Sequence, residues 1–443
     1  KNIKLSNNLK INIIKEVSKI KNKIPLIKTD KVRINSKEVN KNDIFFAIKG
    51  KKNDGNKYIA QSFNRKASLA VVNRFQNNLN KSRQIKVKNT LKFLTDISKT
   101  FRKSIDTNII AITGSCGKTT LKELLGNVLS KISKVSISPK SYNNKFGVPL
   151  SLFNIKQNDE FGILEVGMDK KGEIDYLSKI IKPDVGVITN INYAHAKNFK
   201  NIKQIALAKS ELIYNIKSHG HIVLNADDNF FQLHKKIAKE KNLKVVSFGI
   251  KSQKADIKLI SIKQFGKKFM IKIKLNNKKK YFSLSNDFQN SIYNALSALA
   301  VISIYKNIFK LSENIFLNFK IPVGRGDHCL VKFNKKKINL IDQSYNSNPL
   351  SLKSAIKNFD KIDSKKSNKY LLIGDMLELG SHSKKLHQSI APIINQTKID
   401  KVFVKGKMAS VIFKNISKAK KGRILFNKSQ IIELIRKDLN NND

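Results

Sequence analysis

IIAITGSCGKTTLKELL, residues Ile109 to Leu125, is an apolar run, a glycine turn, Lys-Thr-Thr and then a helical pattern. The order reads as strand, phosphate-binding loop and helix. After Lys118 the apolar residues Leu121, Leu124, Leu125, Val128, Leu129 and Ile132 recur on one helical face. Such a loop aims backbone N–H groups and a helix N-terminus at a polyphosphate. Lys118 is placed to neutralise phosphate charge and the Thr119 hydroxyl to reach a magnesium ion. Gly114, Ser115, Cys116, Gly117, Lys118, Thr119 and Thr120 are therefore the expected cradle, and a nucleoside triphosphate the expected ligand. The spacing departs from the general pattern, because position 112, where a first glycine would stand, is Ile112. Cys116 reads as a small filler rather than a nucleophile, since no neighbouring His or Asp would activate it.

Working outward, a chain of 443 residues with 40% hydrophobic content suggests two to four domains with real cores. No apolar run approaches the length of a membrane span, and the first residues, KNIKLSNNLKINIIKEV, lack a secretory apolar region. Two cysteines, Cys116 and Cys329, argue against a disulfide framework and make the cytoplasm the expected compartment. The net charge is +55, from 87 basic and 32 acidic residues, and only eight of the basic residues are Arg. The lysines are spread along the whole chain, with no basic face interleaved with aromatics, no zinc spacing and no RNA-binding motif. A dedicated nucleic-acid binder is not expected, although weak, salt-sensitive adhesion to polyanions is. A monomer is the default expectation.

Three domains are expected: 1–102, 103–321 and 322–443. The first reads as a small mixed α/β unit with strand-like runs at Asp43 to Ile48 and Leu69 to Val72. In the second, apolar runs at Phe161 to Val166, Val185 to Thr189 and His221 to Leu224 alternate with helical segments, which implies a mostly parallel sheet covered on both faces. Ala295 to Tyr305 reads as a buried helix, and Lys278 to Lys280 as hairpin or loop surface. The third repeats the alternation with strands at Ile338 to Asp342, Tyr370 to Gly374 and Lys401 to Val404 and a helix at Ser351 to Phe359. Both ends read as cut: the first residue is not Met, and the chain stops just after an amphipathic, helix-like segment, Ser429 to Leu439.

Polar clusters follow most of these strands, where ligands collect in open α/β sheets. They are SYNNKFGVPLSL (Ser141 to Leu152), LEVGMDKKGEI (Leu164 to Ile174), TNINYAHAKNF (Thr189 to Phe199), IALAKSELI (Ile205 to Ile213), PVGRGDH (Pro322 to His328), DQSYNSNP (Asp342 to Pro349) and GDMLELGSHSKKLH (Gly374 to His387). Taken singly, Glu165 could be a solvated strand-end carboxylate, His195 a lone loop histidine and Lys209 one surface lysine among many. Order and spacing together make the chain resemble the Mur ligase family of ATP-dependent amide-bond-forming enzymes over nearly its whole length. NSKEVNKNDIFFAIKGKKNDGNKYI, Asn35 to Ile59, resembles the family's uridine-nucleotide-binding domain.

The resemblance implies a uridine-nucleotide domain, a central phosphate-loop ATPase domain and a C-terminal Rossmann-like domain. DQSYNSNP and GDMLELG imply that D-alanyl-D-alanine is joined to UDP-N-acetylmuramoyl-tripeptide, the last cytoplasmic step of peptidoglycan precursor synthesis. A sister activity adding one amino acid, a folylpolyglutamate-type activity and a non-catalytic nucleotide binder stay open as alternatives. Lys118, Glu165, His195 and Lys209 are the implied catalytic set. Thr119 and Glu165 would hold one magnesium, and His195 with a carbamylated Lys209 a second. Asn294, Arg325 and Asp342 are implied at the nucleotide. Asn143 and Asn144 are implied at the UDP-linked substrate, and Asn346 and Asn348 at substrate. Ser36 and Lys37 match the uridine-site pair, with Lys where the family usually has Arg. Other departures are Asn290 where a His near adenine would align and Gln343 where many relatives are acidic. The family's last strand and its loop would lie beyond Asp443. Nothing in the sequence distinguishes diaminopimelate from lysine in the tripeptide.

Overall fold

The computed structural model describes residues 9–18, 29–50, 53–266, 268–285, 288, 291–362, 367–441 and 443. Asn290 lies outside them. The loop strand Asn108–Thr113 sits inside a nine-stranded sheet, between Phe161–Glu165 and Val185–Ile188. Strands run parallel from Val135–Ile137 at one edge through these three to His221–Asn225, Lys244–Gly249 and Ile257–Phe265. The loop strand is a continuous apolar run because both of its faces are covered. Its residues alternate between two cores. Ile110 and Ile112 pack with Leu121, Leu124, Leu125, Val128 and Leu129 of the helix Lys118–Leu129 and with the buried helix Ile292–Tyr305. Ile109 and Ala111 face the other core, which takes in the helices Thr90–Lys103, Gly147–Phe153, Glu173–Ile181 and Ile202–Ser210. Ile132 does not join its predicted face: the helix stops at Leu129, and Ile132 follows in a turn, 41% exposed.

At the far edge the strict alternation of helix and strand ends. Lys268–Leu275 and Lys278–Ser285 form an antiparallel meander with Ile257–Phe265. In FMIKIKL, Phe269 to Leu275, Phe269, Ile271 and Ile273 are buried while the residues between them are less covered, which is the period of a half-buried strand. Lys278 to Lys280 open the second hairpin strand, in keeping with their surface reading.

The first unit carries four short parallel strands, Val32–Arg33, Ile44–Phe46, Leu69–Val72 and Gln84–Lys86. The helix Thr90–Lys103 leads from it into the central sheet. There the Arg102 guanidinium is buried and donates to Ile181 O at 2.8 Å and Asp184 Oδ2 at 2.7 Å. After Pro322 the predicted strand Ile338 to Asp342 is part of Lys336–Asp342, and it does not belong to the C-terminal parallel sheet. It pairs antiparallel with Asp327–Phe333 in a separate hairpin. The turn is made possible by Asn334 in the left-handed region, φ +54°. Tyr370–Gly374, Lys401–Lys405 and Lys421–Ile424 form the parallel sheet. The predicted Ser429 to Leu439 helix is α-helical over Lys428–Glu433 and widens to a π-helical turn over Leu434–Asp438. Among the described residues no helix is long and apolar enough to cross a membrane.

Candidate active site

The loop strand, the Glu165 strand and their neighbours all end at one cleft of about 1290 Å³, closed on the other side by the segments around Arg325, Asn348 and Glu378. Two glycines shape the loop at its floor. Gly114 has φ +145°, and a Cβ there would lie 1.9 Å from Thr189 Oγ1; Gly117 has φ +81°, and a Cβ would lie 2.8 Å from Asn294 Oδ1. The loop is tied from beneath. Cys116 N–H donates to Asn190 Oδ1 at 3.0 Å, Ser115 Oγ to Asn192 O at 2.8 Å, and Thr189 Oγ1 to Cys116 O at 2.6 Å. Lys118 Nζ reaches back to Gly114 O at 2.8 Å. Thr119 Oγ1, on the first turn of the helix, donates to Glu165 Oε2 at 2.6 Å, and Asn143 Nδ2 to Glu165 Oε1 at 2.8 Å. Glu165 is buried, and these two donors satisfy both of its carboxyl oxygens in place of water.

His195 stands in the loop after Val185–Ile188 with left-handed backbone, φ +54°. Its Nδ1 lies 2.5 Å from Glu378 Oε2 and 3.7 Å from Asp169 Oδ1. Nδ1 and Asp169 Oδ1 are both buried with no aligned hydrogen-bond partner. The three side chains form a cluster within metal-binding distance of one another. Burial lowers the His195 pKa, and the charges of Lys118 and Lys209 lower it further against the opposing pull of Glu378. Lys209 lies on the helix Ile202–Ser210, whose N-terminus is capped by Asn201 accepting from Gln204 N–H. It is 2% exposed and forms no ion pair among the described residues. Burial, and then the charge of Lys118, push its pKa well below the ordinary 10.5. Cys116 beside it has its thiol pushed up by burial, as suits a filler.

The opposite wall comes from the C-terminal third. Arg325 stacks on Tyr345, its guanidinium carbon 4.1 Å from the ring centre, and Tyr345 Oη meets Ser141 Oγ at 2.8 Å. Asn348 caps the helix Pro349–Lys361 in a capping box, and its Nδ2 contacts Cys116 Sγ at 2.8 Å. Elsewhere along the cleft, Asp227 accepts from Tyr293 Oη at 2.9 Å and from the Ile250 and Ser252 N–H groups.

Of the predicted site residues, Ser115 to Thr120, Asn143, Asn144, Glu165, His195, Asn294, Arg325, Asn346 and Asn348 line the cleft. Gly114 and Lys209 lie behind its surface. Asp342 does not line it: the side chain accepts Ser344 N–H at 2.8 Å and ends the hairpin. Ser36 and Lys37 are also away from it, with Ser36 Oγ donating to Gln61 Oε1 at 2.6 Å. Asp169, Glu378, Asn190, Tyr345, Asp227 and Tyr293 also line the cleft, and no role for them follows from the sequence alone. Asp169 and Glu378 stood in quoted motifs, but nothing in a single sequence pairs two residues so far apart.

The donor chemistry fits the implied ions. Thr119 and Glu165 offer hard oxygens to a magnesium ion. Around His195 the carboxylates of Asp169 and Glu378 add hard oxygens within metal-binding distance of the imidazole. An ammonium at Lys209 does not fit beside a cation, whereas an anionic group there would.

Residues 112–302 match the family model described as Mur ligase middle domain, and residues 330–443 the one described as Mur ligase, glutamate ligase domain. The chain is 30% identical over 390 residues to the UDP-N-acetylmuramoyl-tripeptide–D-alanyl-D-alanine ligase of Rickettsia prowazekii, spanning 87% of this chain and 85% of that one. It is 32% identical over 414 residues to the ligase of the same name from Buchnera aphidicola, spanning 92% and 87%. Among solved structures it is similar to the MurF ligase of Thermotoga maritima in complex with ADP, with a TM-score of 0.79 and 24% identity over 96% of this chain and 94% of that one. That last likeness speaks for the fold.

Proposed function

The chain belongs to the Mur ligase family, and from that premise we propose that it is the ATP-dependent ligase joining D-alanyl-D-alanine to UDP-N-acetylmuramoyl-tripeptide in peptidoglycan precursor synthesis. The substrates follow from the names of its relatives. The observation that carries the chemistry is Lys209, buried beside an intact phosphate loop and, among the described residues, without an ion-pair partner. A plain nucleotide binder has no use for such a lysine. With its pKa lowered by burial, the amine loses its proton more readily, and the free amine can add to carbon dioxide, lose a proton and become a carbamate anion.

In this reading the tripeptide carboxylate attacks the γ-phosphorus of ATP, ADP leaves, and an acyl phosphate results. The dipeptide amine adds to the acyl carbon, and the tetrahedral intermediate expels phosphate. Two anions must first be brought together, so the loop N–H groups and Lys118 offset their repulsion. Thr119 and Glu165 would hold one magnesium, and His195 with a carbamylated Lys209 would hold a second. Magnesium supplies Lewis-acid charge to the phosphoryl and carboxylate oxygens. Asn294, Arg325 and Asp342 serve the nucleotide, Asp342 only if the hairpin shifts toward the cleft. Asn143 and Asn144 serve the UDP-linked substrate, Asn346 and Asn348 the incoming dipeptide, and Ser36 with Lys37 the uridine moiety. The proposed division of labour is residues 1–102 for the uridine nucleotide, 103–321 for ATP and 322–443 for the dipeptide. The proposed setting is a cytoplasmic monomer.

Phosphate release with MgATP, UDP-N-acetylmuramoyl-tripeptide and D-alanyl-D-alanine, each omitted in turn, tests the proposal. Release that requires all three is expected. Release that proceeds with a single amino acid in place of the dipeptide, or that never occurs, would overturn it.

A further inference from the structure

Glu378 belongs to the C-terminal domain, yet it makes its contacts in the central one. Its Oε2 lies 2.5 Å from His195 Nδ1, and its backbone carbonyl accepts Lys197 N–H at 2.9 Å. Lys197 Nζ lies 3.4 Å from Glu378 Oε1 and 3.4 Å from Asp169 Oδ1. Two residues further on, Gly380 has φ +57°, and a Cβ there would meet Lys197 Cα at 2.7 Å. His382 Nε2 lies 3.2 Å from Phe199 O. The segment from 378 to 382 is thus laid against the loop from 195 to 199. Both acidic and imidazole partners sit in the left-handed region, Glu378 at φ +61° and His195 at +54°. For a non-glycine residue that conformation is strained and persists where its surroundings hold it.

Adhesion does not explain the pair. The side chains are 29% and 42% exposed, and an ion pair that wet adds little to stability. Orientation does explain it. An imidazole that binds a metal through one nitrogen commonly has its other nitrogen fixed by a carboxylate, which sets tautomer and ring angle.

We propose that Glu378 is a positioning residue for ligation: by engaging His195 Nδ1 from the C-terminal domain it leaves Nε2 as the coordinating nitrogen, so the cation site beside Lys209 is completed only when that domain docks. The inference rests on the reading of His195 as a cation ligand. Its consequence is order. The C-terminal domain, which brings Asn346 and Asn348 to the cleft, also finishes the site that activates the carboxylate, so the acyl phosphate forms only once the domain that receives the amine is in place.

The test uses the full chain in five forms: wild type, Glu378→Gln, Glu378→Asp, His195→Ala and the double variant Glu378→Gln with His195→Ala. Gln keeps the size and tolerates the same backbone. Initial rates of phosphate release are measured against magnesium concentration, with all three substrates present, and thermal midpoints are taken by circular dichroism. Glu378→Gln is expected to raise the half-activating magnesium concentration or lower kcat by about 10- to 100-fold with an unchanged midpoint. The double variant is expected to be no slower than His195→Ala. Glu378→Asp, which retains the charge, is expected to recover part of the loss. Wild-type magnesium dependence and kcat in Glu378→Gln, or losses that multiply in the double variant, would overturn the inference while leaving the function standing. Full activity in His195→Ala would instead remove the reading on which it rests.

Discussion

Lys209 is held where its charge is poorly solvated, and the consequence has a definite sign. In the unfolded chain its amine binds a proton up to the ordinary 10.5, while in the folded chain it releases that proton well below this value. Over the interval between, the unfolded state binds more protons, so the unmodified side chain destabilises the fold increasingly as pH falls from 10.5 toward the folded value. Substituting Lys209→Met is expected to abolish turnover and yet raise the thermal midpoint near neutral pH in carbonate-free buffer, by an amount equivalent to about 1–3 kcal/mol for an unpaired buried polar group. The advantage should shrink as pH is raised toward 10.5. Circular dichroism melts of the two forms across that range decide it, and an advantage that grows with pH would contradict the buried-amine account. In wild type, bicarbonate should raise turnover and give a carbamate carbon signal that Lys209→Met lacks. At the same scale, Lys118→Ala is expected to lower kcat by roughly 100- to 1000-fold, the usual cost of removing one preorganised charge donor, measured by the same phosphate release.

Among elements, the phosphate loop is the one whose form was legible residue by residue. Apolar run, two glycines and an amphipathic helix specify strand, turn and helix together, and the buried faces follow the periodicities of two and 3.6. The loop's rigidity was not legible, because it comes from Thr189, Asn190 and Asn192 on a neighbouring strand end. It predicts a specific weakness. Gly114→Ala would place a Cβ 1.9 Å from the Thr189 hydroxyl that holds Cys116 O, at a φ of +145°. MgATP affinity is expected to fall at least about tenfold, since a loss of 1.4 kcal/mol suffices. The far-ultraviolet spectrum should be unchanged, and titration calorimetry reads the loss. The helix Pro349–Lys361 was also legible, from Asn-Pro at its start and its apolar spacing. Asn348→Ala is expected to lower stability by about 1 kcal/mol through the lost cap, visible in urea unfolding. The hairpin Asp327–Phe333 with Lys336–Asp342 was half missed. Most of it is exposed, so its sequence carries little alternation to find, and its turn depends on one asparagine with positive φ.

At the scale of the molecule, one core runs from Ile11 in the first unit through the central sheet to Ile416 near the end, so the described arrangement is packed rather than merely linked. Ordered motifs made most of the cleft's lining readable. Its closure was not, because the Glu378–His195 and Asn348–Cys116 contacts depend on how whole domains meet, which neither periodicity nor spacing encodes. Net charge belongs to this scale too. With +55 spread over the chain, the field favours anions in general without selecting one. Two of the proposed substrates, ATP and the UDP-linked tripeptide, are strongly anionic, whereas D-alanyl-D-alanine is a zwitterion. Raising salt from about 50 to about 300 mM shortens the Debye length from roughly 14 to 6 Å, so the long-range pull is lost while contacts inside the cleft persist. KM for the two anions is therefore expected to rise several-fold while KM for the dipeptide and kcat change little. Weak binding to duplex DNA should vanish over the same range. Steady-state rates at a series of salt concentrations read all three constants. A dipeptide KM that climbs as steeply as that of ATP would mean that salt acts on domain docking itself, and that the excess charge does more than gather anions.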